Sequence, residues 1–230
     1  MKRYIELNIN ELVMRGYENI NDKNKCIVMF HGFTGNKTET NRMFYNIDKM
    51  LESQKFSSLR FDFSQITVDL LLKQAEYILE YANNKYKEVY LLGFSMGGAL
   101  AINSLQTKPK KLILISPAIN MLEKTNNYYN DNEKIGNNIV DLHGLKFSKK
   151  FVESFEKLEF DKNLSNYNNH TLLIHGTKDL SVPVINSESL YKKLNKGEFV
   201  KIKGADHGYS KVEYMNKINQ VIINFLLKEI

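Results

Sequence analysis

The chain has 230 residues, a formal net charge of +6, 43% hydrophobic and 25% charged residues, and one cysteine. These values describe a single globular domain with enough chain to bury a substantial core. They exclude an intrachain disulfide. The lysines are scattered, without the dense runs of a nucleic-acid footprint, so the charge reads as a solvated surface with a weak bias toward anionic partners. No window reaches 18 apolar residues and the N-terminus shows no apolar leader, so the expectation is a cytoplasmic protein without a membrane span or secretory signal.

In chain order, Tyr4 to Ile9 and Leu12 to Glu18 flank Asn10-Glu11 as a predicted hairpin. Cys26 to Phe30 is a continuous apolar run, as a parallel strand buried on both faces requires. Cys26 in that run reads as a core residue. His31-Gly32-Phe33-Thr34-Gly35 follows as a Gly-rich loop. Thr40 to Ser53 carries Met43, Phe44, Ile47, Met50 and Leu51 at helical spacing. Phe56 to Phe61 is a strand, and Val68 to Ala82 a second amphipathic helix.

Val89 to Leu92 then leads into Gly93-Phe94-Ser95-Met96-Gly97 and a run of small apolar residues. This strand, G-x-S-x-G turn and buried helix form a nucleophile-elbow pattern. Small flanking residues let strand and helix approach closely, and the helix N-terminus favours negative charge developing beside Ser95. Lys111 to Ser116 and Thr171 to His175 are further strands. Pro183 opens a predicted helix carrying Leu190, Tyr191 and Leu194, Phe199 to Ile202 is a short strand, and Val212 to Leu227 is a closing helix. Strands alternating with helices predict an α/β fold, a mostly parallel central sheet with helices on both faces.

Ala118 to Asn169 breaks the alternation. A crossover this long is unusual for a simple strand–helix unit. We expect a small helical cap insertion at about 118–169, with a helix from Ser148 to Leu158 whose apolar face, including Phe151 and Phe155, lines a substrate pocket.

A serine hydroxyl needs a base within reach, and the base needs an orienting acid. Both follow in the order Ser, Asp, His. Asp179 lies in the loop after the strand ending at His175, and His207 in Gly204-Ala205-Asp206-His207-Gly208 after the next strand. All three leave the same edge of a parallel sheet, where such sheets bind ligands. Asp206 neighbours His207 but points elsewhere in an extended loop, so Asp179 is the better orienter. His31 is expected to shape its loop, His175 to satisfy backbone groups, and His143 and His170 to be solvated. No zinc-ligand spacing or phosphate loop is present.

On His31-Gly32-Phe33, Gly93-Phe94-Ser95-Met96-Gly97, His175-Gly176-Thr177-Lys178-Asp179 and Ala205-Asp206-His207, the chain resembles the α/β-hydrolase serine esterases. It is similar to the cinnamoyl or feruloyl esterases and the monoacylglycerol-lipase-like serine hydrolases. The resemblance implies Ser95 as nucleophile, His207 as general base and acid, and Asp179 as orienter. It also implies backbone N–H groups of Phe33 and Met96 as the oxyanion hole. It implies a carboxylic-ester hydrolase acting on a small-molecule ester without a cofactor or metal. Thioesterase, monoacylglycerol lipase and amidase activities share these groups, and a non-catalytic ligand-binding protein is the alternative of another class. One departure stands out. After Arg60-Phe61-Asp62-Phe63-Ser64 the related esterases continue with a Gly-rich loop, whereas here Gln65-Ile66-Thr67 leads straight into the helix.

Overall fold

The computed structural model describes every residue except 10, 11, 65, 137, 138, 143, 144 and 230. The Asn10-Glu11 turn, Gln65 and His143 therefore lie outside the described residues. In chain order the elements are β1 (Lys2–Ile9), β2 (Leu12–Asn19), β3 (Lys25–Phe30), α1 (Met43–Ser53), β4 (Ser57–Phe61), α2 (Val68–Lys85), β5 (Glu88–Phe94), α3 (Met96–Ile102) and β6 (Leu112–Ile115). There follow α4 (Met121–Asp131), β7 (Ile139–Leu142), β8 (Leu145–Ser148), α5 (Lys149–Glu153), α6 (Phe160–Ser165), β9 (Thr171–Gly176), α7 (Ile185–Tyr191), β10 (Gly197–Ile202) and α8 (Val212–Leu227).

The main sheet has eight strands in the order β1-β2-β4-β3-β5-β6-β9-β10. The β1–β2 and β2–β4 pairs are antiparallel, and every other pair is parallel. The chain has the α/β-hydrolase fold: a mostly parallel mixed sheet covered by helices on both faces.

Alternation along the central strands builds two cores. Cys26, Val28, Phe30, Val89 and Leu91 point to the face covered by α2, α3 and the insertion. Ile27, Met29, Tyr90, Leu92 and Phe94 point to the face covered by α1 and α8. That period of two is why β3 and β5 read as unbroken apolar runs. Helix ends are secured by side chains. The Thr67 hydroxyl accepts from Leu70 N–H at the start of α2, and the Lys111 ammonium donates to the Phe225, Leu226 and Lys228 carbonyls at the end of α8.

The insertion between β6 and β9 departs from an all-helical cap. Its centre is an antiparallel hairpin, β7–β8, paired from Ile139↔Ser148 to Leu142↔Leu145. The helix expected over Ser148 to Leu158 splits into α5 and a 3₁₀ turn at Ser154–Lys157. The split has a local cause. Ser154 Oγ donates to Phe151 O at 2.6 Å and accepts from Val68 N–H at 3.0 Å, so the side chain serves α2 and not a continuing helix. The helix expected from Pro183 begins at Ile185 and ends at Tyr191, with Leu194 in the turn beyond.

Candidate active site

Strand β5 ends in the G-x-S-x-G turn, and Ser95 there has φ 52° and ψ −119°, a costly conformation for a residue with a side chain. Tight packing holds it. A Cβ on Gly97 would lie 2.0 Å from the Phe30 carbonyl oxygen, and one on Gly93 would lie 2.3 Å from the Gly97 carbonyl oxygen. Ser95 N–H donates to Ile115 O at 3.0 Å, and Ser95 O accepts from Ala118 N–H at 3.0 Å. The insertion therefore starts beside Ser95.

The loops after β9 and β10 converge on the same point. His207 Nε2 is 3.1 Å from Ser95 Oγ, and His207 Nδ1 is 2.7 Å from Asp179 Oδ2. The imidazole also lies against the Phe94 ring, with centroids 4.9 Å apart. Asp206 turns away, accepting at Oδ1 from Ser210 N–H and Oγ.

Asp179 is fully buried at its side chain. Burial alone pushes its carboxyl up. Hydrogen bonds from His175 and His207, and the Val182 N–H at 2.7 Å, outweigh that and hold it well below the usual carboxylate range. His175 meets a backbone carbonyl, as expected, and two side chains that the sequence did not reveal. Its Nε2 lies 2.8 Å from Val182 O and 3.3 Å from Asp179 Oδ2, and its Nδ1 lies 2.7 Å from Ser187 Oγ. It braces the Asp179 loop against α7.

On the other side, the loop after β3 is shaped by two buried groups. Phe63 N–H donates to His31 Nε2, which leaves His31 Nδ1–H to donate to Gly32 O. Full burial holds the His31 pKa down, in keeping with a neutral ring. Glu39, which the sequence did not single out, accepts from Gly32 N–H at 2.6 Å and from Thr40 N–H at 2.8 Å. The N–H groups of Phe33 and Met96 have no acceptor among the described residues.

Ser95 and His207 line a cavity of about 420 Å³, a size suited to a small molecule. Its walls include Phe33 and Val182 from the sheet edge and Met121, Lys124, Thr125, Tyr128 and Phe147 from the insertion. Phe151 and Phe155 do not line it. Phe151 lies one layer behind, stacked on Phe33 at 5.8 Å between centroids, and Phe155 packs behind Phe151. The expectation that both face the pocket is thus corrected, since this face of α5 and of the 3₁₀ turn after it joins the insertion to the core. Phe151→Ala should cost about 3–5 kcal/mol in a denaturant titration. Phe147→Ala should instead change the substrate chain-length profile. A profile unchanged by Phe147→Ala would remove that residue from the binding wall.

No helix among the described residues is long and apolar enough to cross a membrane. The fold, the strained serine and its histidine neighbour define the class as the α/β-hydrolases. The prolyl oligopeptidase family matches residues 52–230, and the chain belongs to that family. A search of curated proteins finds no significant match. Among solved structures the chain is similar to Est1E from Butyrivibrio proteoclasticus, with 21% identity, 97% of each chain covered and a TM-score of 0.84. Est1E is also described with ferulic acid bound. The chain is similar as well to α/β-hydrolase domain-containing protein 10 from mouse, at 18% identity, 97% and 98% coverage and a TM-score of 0.79. The esterase domain of a Rhodothermus marinus protein matches at 18% identity, 98% and 97% coverage and a TM-score of 0.77. Family and neighbours together support a hydrolase.

Proposed function

We propose that the protein is a serine hydrolase of carboxylic esters. The observation that carries this reading is the unbroken hydrogen-bonded line from Ser95 Oγ through His207 to Asp179, beside two unengaged backbone N–H groups. In the proposed reaction Ser95 Oγ attacks the ester carbonyl carbon as His207 Nε2 takes its proton. Asp179 holds the other ring N–H and stabilises the imidazolium. The N–H groups of Phe33 and Met96 receive the oxyanion. Collapse of the intermediate expels the alcohol, which takes the proton from His207 Nε2. Water then repeats the sequence on the acyl-enzyme, releasing the acid and restoring Ser95. On this reading residues 118–169 form a cap on a single α/β-hydrolase domain, and the substrate is a small molecule.

The family description favours a second reading, in which the same groups cleave a peptide or amide bond. A panel of p-nitrophenyl esters of varied chain length, with feruloyl, monoacylglycerol and thioester substrates and prolyl peptide anilides, separates the two. Turnover of esters well above the anilides is the expected result. Turnover of anilides alone would move the activity to peptide bonds, and inertness to the whole panel and to a fluorophosphonate would favour a binding protein.

A further inference from the structure

Helix α4 presents Met121, Lys124, Thr125 and Tyr128 to the cavity that holds Ser95. The spacing is i, i+3, i+4 and i+7, one face of a helix. Met121 and Tyr128 suit an apolar or aryl substrate body. Lys124 does not.

Its ammonium has no hydrogen bond or ion pair among the described residues. Of the other lysines of the insertion, Lys134 holds the Tyr129 and Asn132 carbonyls and Lys157 pairs with Asp69 at 2.5 Å, while Lys124 is the lysine that lines the cavity. The carboxylate on the same cavity wall, Glu39, holds the Gly32 and Thr40 N–H groups and forms no pair with Lys124. Partial burial draws the Lys124 pKa down, opposed by the negative field of Asp179.

An unpaired ammonium in this place is unfavourable twice over. It loses part of its hydration, and it repels the imidazolium that His207 becomes as it takes the Ser95 proton. The Asp179 carboxylate offsets both in part, but no side chain among the described residues pairs with the Lys124 ammonium itself. An anion delivered with the substrate would offset both. A single lysine with no second cation among the residues lining the cavity suits a monoanion better than a phosphate dianion.

We propose that Lys124 is a specificity residue, and that the preferred substrates are esters bearing a carboxylate, received by the Lys124 ammonium while their apolar body lies against Phe33, Met121, Tyr128 and Phe147. The proposal rests on the esterase reading above. It adds the substrate class: half-charged, half-apolar esters, such as monoesters of dicarboxylic acids or hydroxyaryl carboxylic acids acylated on the hydroxyl with the carboxylate free. The net charge of +6 draws such anions toward the molecule.

The test uses matched substrate pairs differing by one carboxylate. Mono-p-nitrophenyl adipate against p-nitrophenyl hexanoate places the charge on the acyl side. 4-Carboxyphenyl butyrate against phenyl butyrate places it on the alcohol side. The full-length protein should favour the charged member of at least one pair in kcat/KM, and the preference should weaken with added salt. In Lys124→Gln the charged-to-neutral ratio should fall about 10- to 100-fold, the range for a hydrogen bond to a charged group, chiefly through KM. Lys124→Arg should keep most of the preference. Labelling of Ser95 by a small neutral fluorophosphonate reports that each variant is folded and reactive. A labelled Lys124→Gln with the wild-type ratio overturns the Lys124 proposal and leaves the esterase reading standing. A full-length protein that neither labels nor turns over any ester overturns both.

Discussion

Ser95→Ala should abolish covalent labelling by a fluorophosphonate and lower ester turnover by about 10⁶ in kcat, the scale on which removal of a triad serine acts. The expectation comes from the position of the side chain. Ser95 Oγ sits 3.1 Å from His207 Nε2, at a backbone conformation that only close packing sustains. The substitution keeps a Cβ in the same place, so the fold should survive. Intact-mass spectrometry after phosphonate treatment reads the result directly. An adduct that persists in Ser95→Ala would assign the nucleophile elsewhere.

The second large effect concerns the pair proposed to serve Ser95. His207→Ala and Asp179→Asn should each reduce kcat by about 10⁴, and the double variant should lose little more, because the residues act as one unit. Multiplying losses in the double variant would mean that Asp179 works independently of His207. Asp179→Asn should also change the acid limb of stability. A carboxyl whose pKa is depressed by folding adds stability that is fully present above about pH 5 and is lost as pH falls below about 4. The variant should therefore be less stable at neutral pH and show a shallower decline in acid, measured by denaturant titration across pH. An unaltered acid limb would mean that the hydrogen bonds of Asp179 stabilise the fold no more than those of an amide.

Much of this arrangement could be read from residues alone, because the relevant signals are local. The continuous apolar runs of β3, β5, β6 and β9 follow from burial on both faces. The glycines around Ser95 follow from backbone contacts that admit no side chain. Asp179 and His207 could be singled out because parallel strands deliver their following loops to one edge, whatever the intervening sequence. The insertion was less legible for the opposite reason. Its hairpin strands are four residues each, too short for alternation to outweigh the helical periodicity around them. The break at Ser154 depends on Val68, distant in sequence. Glu39, Lys124 and the side-chain partners of His175 are invisible on the same ground. A glutamate, a strand-end histidine and a helical lysine look ordinary until the fold decides which faces meet.

The way the insertion is tied down bears on how substrate reaches Ser95. Ser154 takes the Val68 N–H, Lys157 pairs with Asp69, the Asn103 side chain holds Glu159 N–H and the Asn163 amide, and Asn120 is bonded to Asn186 on α7. These bonds fix Asn120 and residues 154–163 of the insertion, and the cavity lined by α4 and Phe147 already opens to solvent with the insertion so held. Enzymes whose covers must swing aside respond to a lipid–water surface, because that surface draws the cover open. Here the rate should follow a single hyperbola in substrate concentration, passing through the point at which a long-chain ester forms micelles without any upward step. An abrupt acceleration at that concentration would show that the insertion lifts after all.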